Sequence, residues 1–133
     1  MNNTLSPLTK FLILISGLVP LIFGVAMFFA PGLVNSVVLY IDDSVPPLVL
    51  RYNALSYFAL TIGAGYALSR NNWQTASGYL AGAGSYVILS LLLSILAILT
   101  TPVRTILYLY VTLALIYTVI FIIVWRQETA RNR

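Results

Sequence analysis

Four apolar runs, at about Phe11–Ala30, Pro47–Leu68, Gly78–Leu99 and Thr105–Trp125, take up most of this 133-residue chain. A helix rises about 1.5 Å per residue, so about 20 residues match the roughly 30 Å hydrocarbon core of a bilayer. Each run reaches that length. Lipid offers no partner to a backbone N–H or C=O, so a crossing segment must close its hydrogen bonds within itself, as a helix does. The short apolar–polar alternation of a membrane barrel is missing from all of them. The sequence therefore predicts an all-α fold: a four-transmembrane-helix bundle forming one membrane domain over residues 1–133, with a short interfacial segment between the first and second helices.

Only 8% of the residues are charged and 60% are hydrophobic, whereas a water-soluble domain has about a quarter of its residues charged. The absence of cysteine removes disulfides and thiolate metal sites, and the absence of histidine removes the commonest metal ligand and proton shuttle. No cofactor and no metal are expected. The net charge of +4 does not point to nucleic acid, because Lys10, Arg51, Arg70, Arg104, Arg126, Arg131 and Arg133 sit at the ends of apolar runs, where they set topology and meet lipid phosphate. With four crossings, Lys10, Arg70, Arg126, Arg131 and Arg133 share one side, and Arg51 and Arg104 share the other with Asp42 and Asp43. That asymmetry predicts cytoplasmic N- and C-termini, with Trp73 and Trp125 at headgroup level on the basic side. A rival reading takes the first run as a cleaved signal with small residues at Gly24 and Ala26. Against it, the apolar stretch continues through Met27, Phe28 and Phe29 as a full span.

Along the chain, Ser6 or Thr9 can cap the first helix, with Pro7 in its first turn. Pro20 lies inside that helix, and Pro31-Gly32 ends it. Leu33, Val34, Val37, Val38 and Ile41 recur at helical spacing, which predicts a short helix lying flat in the interface. Ala59, Gly63 and Ala67 form a small-residue ridge on the second helix. Gly78 with Gly82, and Ala81 with Ser85, form two more on the third. Lipid supplies no hydrophobic drive between helices, so small residues that admit close backbone approach mark packing faces. The second and third helices are accordingly expected to form the tightest pair. The tail from Arg126 reads as polar and exposed.

Ionisable groups inside membrane helices usually mark ion or proton paths, and the central parts of the four runs contain none. The possible polar or ligand site therefore gathers near the outer end of the second run: Asp42, Asp43, Arg51, Asn53 and Tyr57. Arg51 reads either as an anchor paired with Asp42 or Asp43, or as a contact for an anionic ligand. Neighbouring carboxylates in a proline-rich loop lack the opposed geometry of an acid–base pair, so no catalytic residue is assigned.

The order of features is distinctive: Phe29-Ala30-Pro31 closing an apolar helix, a short amphipathic segment, then Arg51-Tyr52-Asn53-Ala54 leading to Ile62-Gly63 and two further helices. It resembles the small four-helix membrane proteins of the DoxX-like group. The resemblance implies a compact four-helix membrane bundle and carries no catalytic residue. Taken together, these readings favour a non-catalytic accessory or scaffold subunit that contacts lipid and either a larger membrane-protein partner or further copies of itself. The alternative is a small transporter or channel for a neutral or lipophilic solute; an enzyme or a quinone or pigment carrier is a third. The predicted orientation has a direct check, since the chain has no native thiol. In intact cells, Ser44→Cys is expected to react with an impermeant thiol reagent and Asn72→Cys to stay unlabelled; the reverse pattern would overturn the orientation.

Overall fold

The structure, a computed structural model, describes residues 4–34, 46–100 and 105–132. Among these residues the chain is helical: α1 (Pro7–Phe29), a single turn α2 (Pro31–Leu33), α3 (Pro47–Arg70), α4 (Trp73–Thr100) and α5 (Thr105–Arg131). Outside the helices, Thr4 and Asn72 form an isolated antiparallel bridge. Three stretches are long and apolar enough to cross a membrane: α1, Trp73–Leu96 of α4 and Tyr108–Arg131 of α5. The second apolar run, now α3, has 24 residues and is long enough, but Arg51, Asn53, Ser56 and Ser69 dilute its apolar character and it is not one of the three. From residue 35 the expected interfacial segment lies outside the described residues, and Asp42 and Asp43 lie there with it.

Two compact units divide the chain: Ile13–Ser69 forms one, and Met1–Leu12 with Arg70–Arg133 forms the other. In the first, α1 and α3 run antiparallel. Gly17 lies against Ala64 and Thr61, and Gly24 lies against Tyr57 and Phe58. Met27, Val34 and Ala54 make a buried cluster, with Ala26, Tyr57 and Phe58 packed on it. The ring of Phe23 stands 6.5 Å from that of Tyr57, and Phe28 stands 6.1 Å from Phe58. Pro20 does not end α1. The Thr61 hydroxyl donates to the Gly17 carbonyl at 3.0 Å, next in sequence to the Ser16 carbonyl that Pro20 cannot bond.

In the second unit α4 packs along α5. Trp73, the first residue of α4, meets Trp125 near the end of α5 with ring centres 5.4 Å apart, so the two helices are antiparallel. Phe121 joins them, 5.7 Å from Trp125. Asn71 holds a left-handed φ of 48° just past Arg70, a conformation that asparagine tolerates better than most residues. Asn72 then caps α4, its Oδ1 accepting the Thr75 N–H at 2.9 Å. The C-terminal tail differs from the sequence expectation. The helix runs on to Arg131 instead of stopping near Trp125, and Glu128 is buried rather than exposed. A specific acceptor role, described below, is what draws that acidic side chain in.

The closest backbone approach in the Ile13–Ser69 unit is at Gly17, where an added Cβ would sit 2.5 Å from the Ala64 Cβ. Gly17→Val is expected to destabilise the protein by about 1–3 kcal/mol, the usual cost of overpacking. Gly82→Ala is the comparison, because a Cβ there meets nothing within 4 Å. Thermal unfolding in detergent, followed by circular dichroism, checks the pair; equal losses would contradict the packing described.

Candidate functional site

The one buried ionisable side chain among the described residues is Glu128, only 1% exposed. It comes from the last two turns of α5 and meets the first turn of α1, within a single compact unit. Ser6 is the N-cap of α1: its Oγ accepts the Thr9 N–H at 3.2 Å and lies 2.7 Å from the Thr9 hydroxyl. In a capping box the side chain three residues on would return a bond to the cap's own N–H. Thr9 occupies that position and does not supply it. Glu128 does so from α5: its Oε1 accepts the Ser6 N–H at 2.8 Å and the Thr9 hydroxyl at 2.6 Å. Its Oε2 accepts Asn132 Nδ2 at 3.3 Å and stands 4.0 Å from Arg131. Asn132 also donates its backbone N–H to the Glu128 carbonyl at 3.0 Å.

Electrostatics favour this placement, since the start of a helix carries partial positive charge and exposed N–H groups. The arrangement binds the end of α5 to the start of α1, and its chemistry is that of a fastening.

The sequence-predicted site is partly brought together. Arg51 is exposed, and its Nε donates to the Phe28 carbonyl in the last turn of α1 at 3.3 Å. Tyr57 also faces α1, against Gly24 and Phe23. Asn53 is exposed. Arg51 thus meets the negative end of a helix, where an arginine is favourable. Of the predicted packing residues, Ala67 is buried, Gly63 is half-buried, and Ala59, Gly78, Ala81, Gly82 and Ser85 are exposed. A Cβ added at Gly78 or Gly82 would meet nothing within 4 Å. The close approaches lie at Gly17 and Gly24 on α1 and at Gly84 on α4. The spacing of Gly17 and Gly24, seven apart and so on one helical face, is the signal that marks the α1 pair.

Beside the exposed small residues runs an open groove of about 310 Å³, lined by Ala81, Ser85 and Ile88 of α4 and by Phe121, Ile122, Trp125 and Arg126 of α5. Gly84 fixes one wall: an added Cβ there would lie 2.6 Å from the Phe121 ring, so the ring rests directly on the α4 backbone.

No family model, no curated protein and no solved structure matches the chain.

Removing the Glu128 carboxylate would strand the Ser6 N–H and leave the Thr9 hydroxyl with the Ser6 hydroxyl alone. Glu128→Ala is expected to lower stability by about 1–3 kcal/mol, and Glu128→Gln by less, because an amide oxygen still accepts. A double-mutant cycle with Thr9→Val, read by thermal unfolding, should show coupling between the two positions; strict additivity would rule out the fastening.

Proposed function

We propose that this chain is a multi-pass integral membrane protein with a non-catalytic role, an accessory or scaffold subunit that packs against a larger membrane protein. The observation that carries the reading is the small-residue face of α4. Gly78 and Gly82 are exposed and have open space where a side chain would be, on a ridge separate from the Ala81 and Ser85 that line the groove. Helices in lipid associate through close backbone contact, and such faces are where a neighbour seats. A ridge of this kind that served only the chain's own packing would be covered. The buried carboxylate adds support, because its hydrogen bonds hold two helix ends together.

Within the same proposal α3 is the fourth crossing. Its 24 residues, about 36 Å at helical rise, span a hydrocarbon core, and Arg51 near its start can extend its charge toward the interface. An even number of crossings puts both termini on the side richer in Lys and Arg, the cytoplasm. The pattern shared with the DoxX-like group belongs to this proposal as well and lends it an architecture without an activity.

Extraction in mild detergent, followed by mass spectrometry of the intact complexes, tests the reading. The wild-type chain is expected to co-purify stoichiometrically with a larger membrane protein. Gly82→Leu should lose that partner while the melting temperature of the isolated chain stays within a few degrees of wild type. A wild-type chain that emerges alone would defeat the proposal, as would a Gly82→Leu chain that keeps its partner.

A further inference from the structure

The groove between α4 and α5 combines an apolar trough with a cation at its mouth. We propose that it binds an anionic glycerophospholipid, with one acyl chain along Ala81, Ser85 and Ile88 and the phosphate against Arg126. The Arg126 side chain is exposed and, among the described residues, makes no ion pair or side-chain hydrogen bond. The nearest carboxylate in sequence, Glu128, is held by Ser6, Thr9 and Asn132 and stands by Arg131 instead. The positive charge at the groove is therefore left for an outside anion. Trp125 lines the same end, and an indole is at home at headgroup level. The rest of the lining is apolar apart from the Ser85 hydroxyl.

Chemistry separates the occupants. From Ala81 to Ile88 the trough runs roughly 10 Å at helical rise, open and apolar, which suits an extended hydrocarbon chain, and Arg126 at its mouth suits a phosphate. Ala81 and Ser85 keep the floor low, and the Phe121 ring, pressed on Gly84, keeps one wall in place. A zwitterionic headgroup brings its own cation beside the phosphate and competes with Arg126, which favours a lipid of net negative charge.

The site is independent of any protein partner, so its test uses the isolated full chain. Delipidated protein in a non-ionic detergent is titrated with phosphatidylglycerol or with phosphatidylcholine, and bound lipid is counted by native mass spectrometry. Phosphatidylglycerol is expected to bind more tightly than phosphatidylcholine. Arg126→Gln should weaken phosphatidylglycerol binding about fivefold, the effect of one basic residue at an anionic surface. Lys10→Gln, which removes the same charge from an exposed position outside the groove, should leave binding unchanged. Ala81→Trp, or Ser85→Phe if the first variant does not fold, should fill the trough and abolish the bound lipid. Equal weakening by Arg126→Gln and Lys10→Gln would reduce the effect to general surface charge and overturn the proposal. Equal affinity for the two lipids, or full binding in both trough-filling variants, would do the same.

Discussion

Hydrocarbon offers no hydrogen bonds, and that single constraint organises what is seen in this protein. Backbone groups close on themselves within the helices. Hydroxyls turn back onto their own helix: Ser16 donates to the Ile13 carbonyl, Ser94 to Ser90, Thr112 to Tyr108 and Thr118 to Ala114. The groups that a helix cannot satisfy alone are those at its ends. Side chains meet them at the start of α1, where Ser6 and Glu128 act together, at the start of α4, where Asn72 caps, and at the end of α1, where Arg51 reaches Phe28. Two of these three caps use a side chain from another helix, so capping and tertiary assembly are one event.

Packing follows from the same medium. Apolar side chains gain little by leaving lipid for protein, so cohesion rests on dispersion and on how near two backbones can come. Gly17 against Ala64, Gly24 against Tyr57 and Phe58, and Gly84 against Phe121 are such approaches. Thr61 adds to the first, its one hydroxyl proton shared between the Gly17 carbonyl across the interface and the Tyr57 carbonyl of its own helix. Glycine or alanine recurs at each of these contacts because a larger residue would hold the helices apart.

The features left over point outward. In the proposed scaffold role, the carboxylate that fastens two helix ends would keep the bundle fixed, and the uncovered small-residue face would meet the partner. The lipid proposed for the groove would belong to the same setting, its phosphate at Arg126 and its chain along the adjoining trough.

The helical class, and three stretches long and apolar enough to cross a membrane, were legible in the sequence, because they depend on runs of apolar residues and on a rise per residue that no neighbour alters. A cap at Ser6 or Thr9 with Pro7 in the first turn was legible for the same local reason, and the structure selects Ser6; Arg51 stood out as a charge near a helix end. The spacing of small residues puts the packing ridges at Ala59, Gly63 and Ala67, at Gly78 and Gly82, and at Ala81 and Ser85, and the structure covers mostly other small residues. Gly17 and Gly84 are pressed against neighbours, whereas Gly78 and Gly82 are open, and a spacing of four looks the same in either case. Glu128 was unreadable for a related reason. Its partners Ser6 and Thr9 lie more than a hundred positions away, and nothing in a polar C-terminal stretch says that a helix will continue through it. Local rules determine that a segment is a helix, but only the folded arrangement decides which of its faces meets protein and which meets lipid.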